Sequence, residues 1–190
     1  MTSTTAPTRR ARLALTPPTS LAGLLDGAWW PYSRDLAAEL PPLVDALRGR
    51  CGRITRITAN PGPWPLSPYE IPVGGHAVHV GWFTDLDPDT MILLSYDRDR
   101  CDLLVIPPES EPDSATRLMA AASVPGNLHP VDALMSDENA TGRRLREARA
   151  GEDTWETEGG AHERPHPRPH PRPRPVVGAR MIALPRSMWR

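Results

Sequence analysis

The sequence predicts an α+β fold: an antiparallel sheet of five to six strands in a meander, two main helices on one face, and a disordered C-terminal tail. Three observations predict it. Alternating apolar and polar residues flank tight polar turns at Gly74-Gly75 and at Asp97–Arg100. Apolar residues recur at helical spacing from Leu36 to Leu47, and again around Leu118, Met119 and Ala122. Proline occupies every second position from Pro165 to Pro175, where no core residue remains.

Taken in order, residues 1–10 are small, polar and expected to be disordered. Arg12–Leu15 forms a short strand stopped by Pro17 and Pro18, and Leu21–Gly27 is either a turn or a helical fragment. Ala28–Trp30 is extended, because the residue before Pro31 is pushed towards β or polyproline geometry. Trp29 and Trp30 then face opposite sides of the strand. Ser33 caps the first helix, with Asp35 near the positive end of its dipole. Leu36, Ala37, Leu40, Leu43, Val44 and Leu47 make its apolar stripe. Pro41 and Pro42 predict a kink or a break into two short helices, and Gly49 ends the element between Arg48 and Arg50.

Arg53–Ala59 alternates as a strand, and a proline-rich loop carrying Trp64 follows. Tyr69–Val73 and His76–Phe83 make the first hairpin; Met91–Tyr96 and Asp102–Ile106 make the second, with Asp85–Asp89 between them. Pro107-Pro108 stops the last strand, and Pro112 and Asp113 open a helix that runs to about Ser123. These elements place the domain at 11–124. Residues 125–158 read as a linker with a short helix at Arg143–Ala150, and 159–190 as a Pro/Arg/His-rich tail.

At 190 residues the chain suffices for one domain with a hydrophobic core. All 22 basic residues are arginine, which reads as the codon usage of a GC-rich genome. The net charge of −1 hides an asymmetry: residues 162–190 hold seven Arg against one Glu, leaving the other 161 residues at −7. The two cysteines, Cys51 and Cys101, match no metal or redox spacing and read as ordinary reduced thiols. The N-terminus lacks the apolar stretch of a secretory leader, and no apolar run approaches the ~18 residues of a membrane helix. The expectation is a cytoplasmic protein with no membrane contact.

Few residue constellations point to chemistry. Asp85, Asp87 and Asp89 have the spacing that opens a calcium loop, but Thr90 stands where glycine is required and Tyr96 where a bidentate glutamate is required. That segment reads as a solvated turn. His76 and His79 lie on opposite faces of one strand and cannot share a metal, and His129 has no partner visible in sequence. No metal site and no cofactor is expected. The tail's strict alternation suggests a polyproline II rod, lacks the P-x-x-P spacing of groove ligands, and carries arginines suited to weak contact with nucleic acid or another polyanion.

The densest aromatic patch is the corner formed by Asp26, Trp29, Trp30, Ser33, Arg34 and Asp35, with Trp64 on the neighbouring loop. An aromatic wall, a cation and carboxylates at a helix N-terminus suit a small anionic or ring-bearing ligand. The competing reading, which the residue types favour, packs tryptophan under the helix and pairs Arg34 with an acid to pin the turn. The function that follows is a non-enzymatic binding or interaction domain taking a protein or small-molecule ligand. The alternatives are an enzyme acting on a small molecule at the Trp29–Arg34 corner, and weak polyanion binding through the tail.

The blocks DGAWWPYSRDL and AAELPPLVDAL, then VGG, GWF and DLLVIPP, make residues 10–124 resemble the actinobacterial domain-of-unknown-function family 5994. The resemblance supports the domain limits and implies no activity. Members tend to carry arginine after the proline of the first block. Tyr32 stands there in this chain, so a charge role does not carry over to it.

Overall fold

Strand β1, Arg12–Leu15, lies antiparallel to β2, Gly27–Trp30, and places Leu15 opposite Gly27 at the turn end of the pair. The computed structural model describes residues 9–18, 21–97 and 100–158, with side chains as far as 151. The disorder expected at the N-terminus, the polyproline rod and the basic tail fall almost wholly outside the described residues. Residues 1–151 form one compact unit and residues 152–190 another, of which only the helical backbone of 152–158 is described.

Helix α1, Leu36–Cys51, follows β2. Its N-cap is Asp35, whose Oδ1 accepts from the backbone N–H of Ala37 at 3.1 Å and of Ala38 at 3.3 Å. Ser33, the expected cap, instead donates to Glu39 Oε1 at 2.9 Å. The helix runs unbroken through Pro41 and Pro42 and ends at Cys51, past Gly49. The prolines remove donors to the carbonyls of Ala37 and Ala38, which lie on the exposed side where water replaces them. Leu36, Leu40, Leu43, Val44 and Leu47 are buried, each contributing about 1.5–3 kcal/mol by leaving water.

Strands β3 (Ile54–Ala59), β4 (Glu70–Val73), β5 (His76–Trp82), β6 (Thr90–Ser95) and β7 (Arg100–Val105) come next. Helices α2 (Pro112–Ala122) and α3 (Val131–Glu158) close the described chain. Both expected hairpins form: β4 pairs with β5 across Gly74 and Gly75, at φ 52° and 84°, and β6 pairs with β7. Positive φ at both central positions is what a tight hairpin turn of this hand requires.

The sheet is not the antiparallel meander of five to six strands. It has seven strands in the order β1-β2-β7-β6-β3-β5-β4 and is mixed, with β2 parallel to β7 and β3 parallel to β5. Strand β3 inserts between the two hairpins, antiparallel to β6. Nor do the helices share one face. Trp29, Leu103 and Val105 pack with α1, whereas Ala28, Leu104 and Ile106 pack with Leu118 and Ala122 of α2 and Leu134 of α3. Central strands covered on both sides carry apolar residues at consecutive positions. Proline at Pro72 and a length of four residues blunt the edge strand β4.

The short helix expected at Arg143–Ala150 is part of α3, which begins at Val131. Among the described residues, no helix is long and apolar enough to cross a membrane.

Candidate functional site

At the Trp29–Arg34 corner the aromatic wall is sealed. Trp29 is fully buried and stacks on Trp64, with ring centroids 5.8 Å apart and planes inclined by 15°. The Trp64 backbone N–H donates to Pro61 O at 3.0 Å in a turn of the proline-rich loop, and the Trp64 side chain is buried. Trp30 faces the other side of the sheet, as alternation requires. The Arg12 guanidinium lies over its ring at 3.3 Å and over the Tyr32 ring at 4.1 Å.

The hydroxyl and the charged side chains of the corner each have a partner inside the protein, whereas Trp30 Nε1 is buried without one. Arg34 Nη1 donates to Pro63 O at 3.0 Å, and Nη2 pairs with Glu109. Ser33 and the backbone N–H of Tyr32 are both held by the buried Glu39 carboxylate. Asp35 caps α1. Asp26 lies at the other end of β2, where Oδ2 accepts from Asp102 N and the Asp26 N–H donates to Asp102 O, each at 2.8 Å. Arg34 and Trp64 thus line one crevice, with Trp64 stacked on Trp29, while Asp26 lies apart. The crevice beside Arg34, walled by Pro31, Pro63, Pro88 and Pro107, has a volume of about 10 Å³, close to that of one water.

Asp89 lines the same crevice. Burial raises its carboxyl above the usual range, the Asp87 charge adds to this, and Arg34 only partly opposes it. Its proton is therefore held more tightly in the folded than in the unfolded chain. Stability from this group is present at low pH and lost as pH rises through the folded value. Asp89→Asn should raise the melting temperature at pH 7, with the gain shrinking as pH falls towards about 4; melting curves across that range check it. The neighbouring aspartates form a turn, as expected: Asp87 Oδ1 accepts from Asp89 N at 2.8 Å. Among the described residues, no three His, Cys, Asp or Glu side chains gather as a metal would need.

A far larger cavity lies elsewhere, between α2, the loop after it, and α3. Asn127, buried in that loop, organises it: its Nδ2 donates to Ala121 O at 2.9 Å and its Oδ1 accepts from His129 N at 2.8 Å. One turn beyond Leu134, the Glu138 carboxylate accepts from Arg117 Nε and Nη2 and from Ser114 Oγ. The Arg117 hydrogen bonds, reinforced by the one from Ser114, hold the Glu138 carboxyl below its usual range despite burial. Pinned at these two points, the helices leave a groove of about 640 Å³ lined by Leu118, Ala121, Leu134 and the buried Asn127, with the exposed His129 and Asp137 at its rim. Leu128, 70% exposed, stands at the mouth.

Sequence reasoning missed this site because the segment after Pro125 lacks a continuous apolar stripe. The signal present was the spacing Val131, Leu134, Met135 and Glu138, which sets one helical face towards α2.

No curated protein and no solved structure matches the chain. A family model described as a family of unknown function, DUF5994, matches residues 12–122, from the first residue of β1 to the last of α2, and α3 lies beyond the match. With more than half of its length covered by that model, the chain belongs to the family of unknown function DUF5994.

Proposed function

We propose that the protein is a non-enzymatic binding domain whose ligand is a small molecule with an apolar body and a cationic end, held in the α2–α3 groove. The observation that carries this reading is the groove: about 640 Å³, lined by apolar side chains and by the exposed His129 and Asp137. Cavities of about 300–1,000 Å³ with that lining suit a single small organic ligand. The charge argument supports a cation. Arg117 is engaged by Glu138, so its charge is matched within the protein. Asp137, exposed at the rim, has no ion pair among the described residues and leaves the mouth negative.

The Trp29–Arg34 corner takes a structural role in this reading, because its charged groups are matched and its crevice is the size of one water. A cytoplasmic setting accords with two reduced thiols in the core.

The test is a thermal-shift screen of the full chain with matched arylalkyl amines and arylalkyl carboxylates. An amine at ~100 times its Kd should raise the melting temperature by about 5–10 °C. Ala121→Phe, which fills the groove, should abolish the shift, and Asp137→Asn should reduce it. A preference for the carboxylate, or an undiminished shift in a folded Ala121→Phe variant, would overturn the reading.

A further inference from the structure

A separate cavity of about 330 Å³ opens at the C-terminal end of α1, between the last turns of the helix and the β4–β5 hairpin. It is lined by Val44 and Arg48 of α1, Gly52 and Arg53 of the connection to β3, and Gly74 and His76 of the hairpin. Two guanidinium groups and an imidazole therefore border one concavity, and no acid is among the described residues that line it.

Glycine keeps the space open. Gly52 and Gly74 have φ of 67° and 52°, in the left-handed region where a side chain is strained, so the chain turns at both points without filling the cavity. A Cβ at Gly74 would stand 3.3 Å from Arg48 Nη2, which places the Arg48 guanidinium against the hairpin turn. His76 Nε2 donates to Ile54 O at 2.9 Å, which orients the ring and leaves Nδ1 as its remaining polar atom.

Arginine near a helix C-terminus complements the dipole, and that accounts for Arg48 and Arg50 in the last turn. It does not account for Arg53, which is exposed, lies past Gly52 and has no ion pair among the described residues. The nearby acids neutralise little. Asp45 reaches Arg48 at 3.4 Å with both side chains more than half exposed, a contact of small strength. Asp97 Oδ2 would lie 3.8 Å from a Cβ at Gly52, yet Asp97 pairs with neither arginine among the described residues.

We propose that this cavity is a binding site for a phosphate dianion, with Arg48 and Arg53 as its cationic contacts and His76 at its wall. The planar fork of a guanidinium matches two phosphate oxygens, and such charge-assisted hydrogen bonds are stronger than the long contact from Arg48 to Asp45. The volume is at the lower end of the ~300–1,000 Å³ of small-molecule sites, which leaves room beside Val44 for the organic part of a phosphate monoester. The site is independent of the α2–α3 groove and its cationic ligand.

The experiment titrates the full-length protein with inorganic phosphate and with glycerol phosphate at constant ionic strength, above the second phosphate pKa of ~6, and follows heat and thermal melting. Saturable binding at a single site is expected, with a melting temperature higher by about 5–10 °C at ~100 times the Kd. Arg48→Gln and Arg53→Gln should each weaken binding about tenfold. Arg50→Gln, in the same turn but outside the cavity, should change it by less than about twofold. Tighter binding of glycerol phosphate assigns the site to a phosphate ester, and equal or weaker binding assigns it to free phosphate; either supports the proposal. No stabilisation beyond that of sodium chloride at the same ionic strength, undiminished binding by a folded Arg53→Gln variant, or an equal loss in Arg50→Gln would each overturn it.

Discussion

Trp29→Ala is expected to cost about 3–5 kcal/mol, a large share of the ~5–15 kcal/mol that holds a domain together. The indole is fully buried, and removing it empties the space beneath α1 and takes away the ring on which Trp64 stacks. Trp64 is one anchor of the loop from Asn60 to Tyr69, beside the hydrogen bonds from Arg34 to Pro63 O and from Trp82 to Pro68 O, so the loop should loosen around Trp64 as well. Trp30→Ala provides the contrast. Trp30 is only partly buried, and its Nε1 is buried without a hydrogen-bond partner. Removing that donor relieves a desolvation cost of about 1–3 kcal/mol, which offsets lost packing and the lost stack on Arg12. Urea unfolding of the two variants should therefore differ by at least ~2 kcal/mol. Equal losses would mean that the two faces of β2 are packed alike, contrary to the structure.

Gly27→Ala is expected to be comparably severe for a different reason. A Cβ at this position would lie 2.1 Å from Ala14 O and 2.9 Å from Leu15 Cα, on a backbone with φ of 155°. Both neighbours are backbone atoms of β1, so no side chain can turn aside. Strand β1 must leave β2, with a loss on the order of 3–5 kcal/mol. Limited trypsin digestion reads this directly: Arg12, whose guanidinium is held over Trp30 and bonded to Trp30 O, should become cleavable before the rest of the unit opens. Wild-type melting together with an uncut Arg12 would refute the close approach of the two strands.

What could be read from the sequence was what is local. The Gly74-Gly75 turn declares itself, because two adjacent glycines between alternating strands have few other uses. Strand β3 also alternates legibly, but its position between β5 and β6 is a matter of long-range pairing that no local pattern encodes. The two-sided covering of the sheet had a signal: Leu103, Leu104, Val105 and Ile106 are consecutive apolar residues where a half-solvated strand would alternate. The break predicted at Pro41-Pro42 failed because the freed carbonyls face water. The tryptophans at the corner were legible as important, and the reading that packed Trp under the helix and paired Arg34 with an acid describes them. The groove was not legible, since it depends on how α3 returns along α2, and that rests on two side chains, Asn127 and Glu138.

The parallel pairing of β2 with β7 has a consequence for how the chain is made. Gly27 meets Leu103 and Trp29 meets Val105, so a strand synthesised early waits for the last strand of the sheet. Strand β3 waits similarly for both β5 and β6. While the nascent chain lengthens on the ribosome, β2 has only β1 beside it, and Trp29 has no Leu103 or Val105 to lie against. Topologies dominated by such distant pairings fold in milliseconds to seconds rather than microseconds. The aromatic pair at Trp29-Trp30 is thus exposed throughout synthesis of the sheet. A chaperone that captures apolar segments would meet this protein at that stretch before the α2–α3 groove exists.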